Sequence, residues 1–137
     1  MRGALAGVTA AAAWIAAEPV ARRVFGTGSY GTARLLGAPL SRRHWRAVGL
    51  AAHLANGADV GLLFHRLGLS GSKACAVAAQ LENVATWPAM AAADRLHPDR
   101  RSGVWPPLLR NGRVFAQEAA VHAVFGAVLG LFLPRRP

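Results

Sequence analysis

His53 and His122 open the same pattern, for His53-Leu-Ala-Asn-Gly57-Ala-Asp-Val-Gly61-Leu and His122-Ala-Val-Phe-Gly126-Ala-Val-Leu-Gly130-Leu both read H-x3-G-A-x2-G-L. On a helix with ~3.6 residues per turn, positions four apart fall along one narrow stripe. Each copy therefore sets an imidazole above a small-residue groove. A few other polar groups stand in apolar surroundings: Glu18, Glu82, Asn83 and Glu118, the last of them one turn before His122 on the same face. Gathered into one layer, imidazoles and carboxylates suit three chemistries. His53, His122, Glu82 and Glu118 can ligate Zn, Fe or Mn, although Glu118-x3-His122 is the only element related to the paired Glu-x2-His of di-iron bundles. Two histidines on facing helices beside glycines can ligate a haem. A carboxyl and a neutral imidazole in a low-dielectric layer can exchange protons, each charge state depending on the other. The plain alternative is a satisfied polar core that specifies helix packing and does nothing more. No phosphate loop, nucleophile elbow, Cys-x2-Cys pair or His-Glu-x2-His motif is present. A conventional soluble enzyme is disfavoured, and no catalytic residue is assigned.

Four apolar spans must position these groups, at about Ala4 to Ala21, Ala47 to Phe64, Ala74 to Ala93 and Val114 to Leu133. Each approaches the ~20 residues that a 30 Å hydrocarbon core requires. Every span holds a polar group, and a charge near the bilayer centre costs ~2.5–3.5 kcal/mol, so the helices are expected to pack cooperatively with those groups inward. The first span also has features of a signal peptide, but its positive n-region is minimal and Glu18-Pro19 suits a cleavage site poorly. Retention is the expectation.

The connections alternate in length. Arg22 to Arg46 and Asp94 to Arg113 are long, the latter broken by Pro98, Pro106 and Pro107; Arg66 to Lys73 is a tight Gly-Ser turn. A single domain, 1–137, with two halves of about 1–68 and 69–137 follows, each a helix, a long basic connection and a helix bearing the His-Gly-Gly stripe. Parallel two-span repeats are related by an axis along the membrane normal. Asp59 lies off the His53 stripe and faces elsewhere. Gly57-x3-Gly61 and Gly126-x3-Gly130 match the small-x3-small packing motif.

Composition agrees. Hydrophobic residues make up 53% and aromatics 7%, with a mean hydropathy of +0.27; an Ala/Gly core of this kind is thin for a soluble domain but brings membrane helices close together. The net charge is +10, and fifteen of the sixteen basic residues are Arg. They cluster between the spans, without the basic helix face or recognition module of a nucleic-acid binder. Eleven lie in the long connections (Arg22, Arg23, Arg34, Arg42, Arg43, Arg46, Arg95, Arg100, Arg101, Arg110, Arg113) and five elsewhere (Arg2, Arg66, Lys73, Arg135, Arg136). The positive-inside rule places the long connections in the cytoplasm and both termini outside. In that orientation His53, His122, Glu82 and Asn83 share a mid-membrane layer, with Glu18 and Glu118 in a second layer below. Trp45 and Trp105 suit the headgroup region, and Arg42-Arg43-His44-Trp45-Arg46 suits anionic lipid or simply fixes topology. Cys75 stands alone, so no internal disulfide forms.

The layout resembles small Ala/Arg-rich four-span membrane proteins of high-GC actinobacteria. The segments that carry this are Gln80-Leu-Glu82-Asn83-Val-Ala-Thr-Trp87-Pro88, His97-Pro-Asp-Arg100, Trp105-Pro-Pro-Leu-Leu109 and Phe115-Ala-Gln-Glu118 with His122. The resemblance implies a bacterial inner-membrane home and supplies no activity. The expected architecture is an all-α four-helix transmembrane bundle with an internal pseudo-twofold. The functional readings are a binder of metal, proton or small ligand, a structural or accessory subunit of a membrane complex or homo-oligomer, and a membrane-embedded enzyme.

Overall fold

The computed structural model describes residues 1–101 and 107–133, apart from the side chains of 91, 93 and 101, and its regular elements among these residues are all helical. They are α1 (Arg2–Phe25), α2 (Thr32–Gly37), α3 (Trp45–Arg66), α4 (Ser72–Asp94), α5 (Pro98–Arg101) and α6 (Gly112–Phe132). Trp105, Pro106, Arg135 and Arg136, which entered the topology argument, lie outside the described residues. A long helix covers each of the four apolar segments, starting two residues earlier in every case. The two long connections are not plain loops, for they carry the short helices α2 and α5.

Local chemistry sets the ends. α1 stops at Gly26, whose left-handed φ of 64° lets its N–H reach back to the Arg22 carbonyl, and Arg22 and Arg23 in the last turn complement the helix dipole. α6 starts at Asn111, whose side chain accepts from the Val114 N–H at 3.3 Å. α1 and α4 each contain a proline, Pro19 and Pro88, well past their midpoints.

Among the described residues three helices, α1, α3 and α6, are long and apolar enough to cross a membrane. α4 matches them with 23 residues, but Gln80, Glu82 and Asn83 lower its apolar character. Those groups turn toward α6 or into the interior: Gln80 Nε2 donates to the Ala119 carbonyl at 2.6 Å, and Asn83 is fully buried.

The close pairs are α1 with α3, α1 with α6, and α6 with α4, so the long helices run in the order α3, α1, α6, α4, with α2 against α3. Glycine makes the tightest contacts. Gly3 and Gly7 of α1 meet Gly57 and Gly61 of α3 backbone to backbone, and Gly126 and Gly130 of α6 lie on Cys75, Ala76 and Gly71 at the start of α4. A Cβ on Gly126 would stand 2.5 Å from Ala76 Cα. The glycines of both stripes thus bury against the preceding long helix, as the small-x3-small motif anticipates. The core between them is built from Ala6, Ala10, Ala11, Trp14, Val121, Phe125 and Leu129.

Both long connections lie at one end of the molecule. Arg34 of α2 forms a two-pronged ion pair with Asp99 of α5, and His97 Nε2 approaches the Arg34 carbonyl at 3.3 Å. Hydrogen bonding from Arg34 holds the Asp99 carboxyl below its ordinary range. Such a group stabilises the fold above the unfolded carboxylate value of ~3.9 and loses that contribution as pH falls through its depressed folded value. Asp99→Asn should therefore lower stability by ~0.5–1 kcal/mol at pH 7. In denaturant melts the gap should close in acid; a gap constant down to pH 3 would count against the pairing.

Candidate functional site

The polar layer is built around Trp14, a residue that the sequence pattern did not single out. Its indole meets the His53 ring at 5.0 Å and the His122 ring at 4.4 Å, both edge-on at 63° and 62°. Phe125 packs beside it at 6.3 Å. Trp14 Nε1 donates to Thr32 Oγ1 at 3.1 Å, and the Thr32 N–H donates to Glu18 Oε1 at 2.6 Å. The first turn of α2 is thereby tied to α1, with a carboxylate at the positive end of the short helix.

His122 has a defined hydrogen pattern. Its Nδ1 lies 2.7 Å from the Glu118 carbonyl, which can only accept, so Nδ1 carries a hydrogen. Its Nε2 lies 3.1 Å from Glu82 Oε2. One proton must sit between that nitrogen and that oxygen. The pair is either a neutral imidazole accepting from a carboxylic acid or an imidazolium beside a carboxylate. Glu118 Oε2 stands 4.0 Å from Nδ1. Glu118 is 2% exposed and Tyr30 is wholly buried, with the tyrosine hydroxyl in hydrogen-bonding relation to the carboxyl. Burial, reinforced by the Glu118 charge, keeps the Tyr30 phenol well above its ordinary pKa, so it stays a donor.

His53 is different. One ring nitrogen bonds the main chain of Ala11, while Nε2 is buried and has no hydrogen-bond partner among the described residues. Asn83 is likewise buried with neither amide atom partnered among them.

A cavity of about 230 Å3 lies between α3 and α4, floored by Trp14 and His122 and closed at one end by Leu35 and Leu36 of α2. His53, Glu82, Glu118 and His122 all line it. The structure thus brings together four of the six polar candidates. Glu18 joins them through Thr32 and Trp14. Asn83 sits one residue past Glu82 and does not line the cavity. Glu82, His122, Glu118 and Tyr30 follow one another in turn, with the Glu18 charge near enough to act on Tyr30.

Two expected ligand sets meet obstacles. The indole fills the space between the imidazoles, so a haem held between His53 and His122 has no room in this arrangement. Among the described residues no three His, Cys, Asp or Glu side chains converge closely enough to hold a metal ion. Symmetric roles for the two histidines also gain no support from their partners, since His122 faces a carboxylate and His53 faces the cavity.

Sequence reasoning missed Trp14, Tyr30, Thr32 and Gln117. Gln117 is fully buried and accepts from the Thr27 hydroxyl, joining the end of α1 to α6. The available signal for Trp14 was its place at the centre of an Ala-rich span, one turn before Glu18. Comparison with known protein families, characterised proteins and solved structures finds no match for this chain.

Proposed function

We propose that this is a four-span membrane protein whose buried His/Glu layer holds and exchanges a proton next to a small-ligand cavity. The observation that carries the reading is the 3.1 Å contact between His122 Nε2 and Glu82 Oε2, with Nδ1 anchored on a carbonyl. Depth supports it: His122 lies ten residues from each end of α6 (122 − 112 and 132 − 122), and ionisable groups at such depth mark proton or substrate paths by default. A fourth span is supported by the length of α4 and by its polar residues turning to α6. The two-plus-two repeat is supported by glycine contacts of the same kind in α1–α3 and α4–α6, and by Pro19 and Pro88.

The basic asymmetry favours the α2/α5 end in the cytoplasm and both termini outside, and the layout's resemblance favours a bacterial inner membrane. Exposed Arg42, Arg43 and Arg46 at that end suit anionic headgroups. Asp59 favours a second reading, in which α3 docks on another chain. It is exposed two-thirds of the way along α3, where bare contact with lipid is costly.

Infrared and nitrogen-15 histidine spectra of the detergent-solubilised protein test the proton pair. The His122 Nε2 resonance should carry the signature of a hydrogen shared with a carboxyl, and Glu82→Gln should remove that carboxyl's band and change the Nε2 resonance. An Nε2 resonance indifferent to Glu82→Gln would reduce the layer to a packing device.

A further inference from the structure

We propose that the cavity between α3 and α4 binds small lipophilic amines as their cations, admitted sideways from the bilayer. This rests on the polar-layer reading and names the ligand class. The outer helices α3 and α4 are not among the closely packed pairs, and the cavity occupies the space between them. Asn56 on one lip is exposed, and the Glu82 side chain on the other is 41% exposed, so the cavity opens between these helices.

The lining selects for charge. It contains two carboxyls, two imidazoles and an asparagine, and no Lys or Arg, although the chain holds sixteen of them. One buried acceptor is left over: His53 Nε2 has no hydrogen-bond partner among the described residues, and its residue is 4% exposed. With its other nitrogen on a main-chain group, His53 keeps this nitrogen's lone pair within the cavity wall. An unmet acceptor beside carboxyls calls for a donor with positive charge and repels anions. The apolar wall includes Val60, Phe64, Met90 and Phe125, with the Trp14 ring on the floor. Aromatic faces attract ammonium groups. At about 230 Å3 the space falls below the ~300–1,000 Å3 of drug-sized sites, so the occupant is one ring or a short chain with an amine.

The amine brings its own charge, so the shared proton of Glu82 and His122 becomes redundant and leaves. R–NH3+ binds and H+ is released to solvent. The groups facing this exchange are Glu82 from α4, Glu118 and His122 from α6, and His53 from α3. Glu18 of α1 and Tyr30 stand behind Glu118, with Arg22 beyond Glu18. Acid therefore weakens binding by competition.

Calorimetry on the full chain in detergent tests this with three probes of one size: 2-phenylethylamine, 2-phenylethanol and phenylacetate. The amine should bind at least tenfold more tightly than the alcohol, and phenylacetate should give no heat of binding. Titration in two buffers of different ionisation enthalpy should show net proton release at neutral pH. Glu82→Gln should cost the amine at least tenfold and leave the alcohol unchanged, and Val60→Trp should block both while the melt stays cooperative. Equal binding of amine and alcohol would make this an apolar crevice and overturn the proposal, as would no amine binding. Because the spectra of the ligand-free pair are read separately, a shared hydrogen in those spectra without amine binding would sink this inference and leave the proton layer standing.

Discussion

Gly7→Ala, a single added methyl, is expected to abolish the stably folded protein. A Cβ at position 7 would land inside the van der Waals envelope of the Gly57 carbonyl oxygen and 3.0 Å from Gly61 Cα. Both obstacles are backbone, so relief requires α1 and α3 to move apart as rods. That movement lifts Trp14 off His53 and opens the Ala6–Ala10–Ala11 contact. Overpacking ordinarily costs ~1–3 kcal/mol through side-chain shifts, and a backbone obstacle places this substitution at or above the upper end. Thermal unfolding in detergent should show a large loss or no cooperative melt. Gly112→Ala provides the control, because a Cβ there meets nothing within 4 Å and alanine suits a helix better than glycine. A Gly7→Ala protein as stable as the parent would show that α1 and α3 do not pack at this distance.

Trp14→Ala should be nearly as severe, for a different reason. The indole is 6% exposed, touches both imidazoles and Phe125, and holds Thr32 through its N–H. Truncation leaves a void among these groups and removes a buried hydrogen bond, and Trp→Ala in a packed interior typically costs ~3–5 kcal/mol. Trp14→Phe separates the two contributions, since it fills most of the void and lacks only the N–H. It should recover most of the lost stability. If Trp14→Ala melted within a degree or two of the parent, the layer would not be organised around this ring.

How much of this was legible in the sequence follows from what each residue reports. The stripes at His53 and His122 gave the packed faces of α3 and α6, because period and residue size are written directly in the chain. Glu82 and Glu118 were legible as members of the site, since isolated carboxyls in apolar runs have few other places to go. The partner of each stripe was not legible: Gly3, Gly7 and Ala11 resemble the rest of an Ala-rich span until a backbone lies against them. Trp14 was hidden for the opposite reason. A lone aromatic in a span reads as packing or as lipid contact, and only the helix order α3, α1, α6 makes it the piece between two imidazoles. The helices α2 and α5 escaped because Gly, Arg and Pro signalled loops, whereas Glu18 and the Arg34–Asp99 pair supply from outside the order those short segments lack.

The polar face of α4 bears on how the chain is made. On the four-span reading, Gln80, Glu82 and Asn83 leave this helix the poorest of the four at partitioning alone, and Ala119 and His122, the partners of Gln80 and Glu82, lie in α6, which is synthesised after it. α1 and α3 can enter lipid as they emerge. α4 gains its compensation only once α6 exists, so assembly in the membrane favours a pause after the first two helices, followed by entry of α4 and α6 as one hairpin. The cavity, which needs α3 on one side and α4 on the other, is then the last part of the molecule to form.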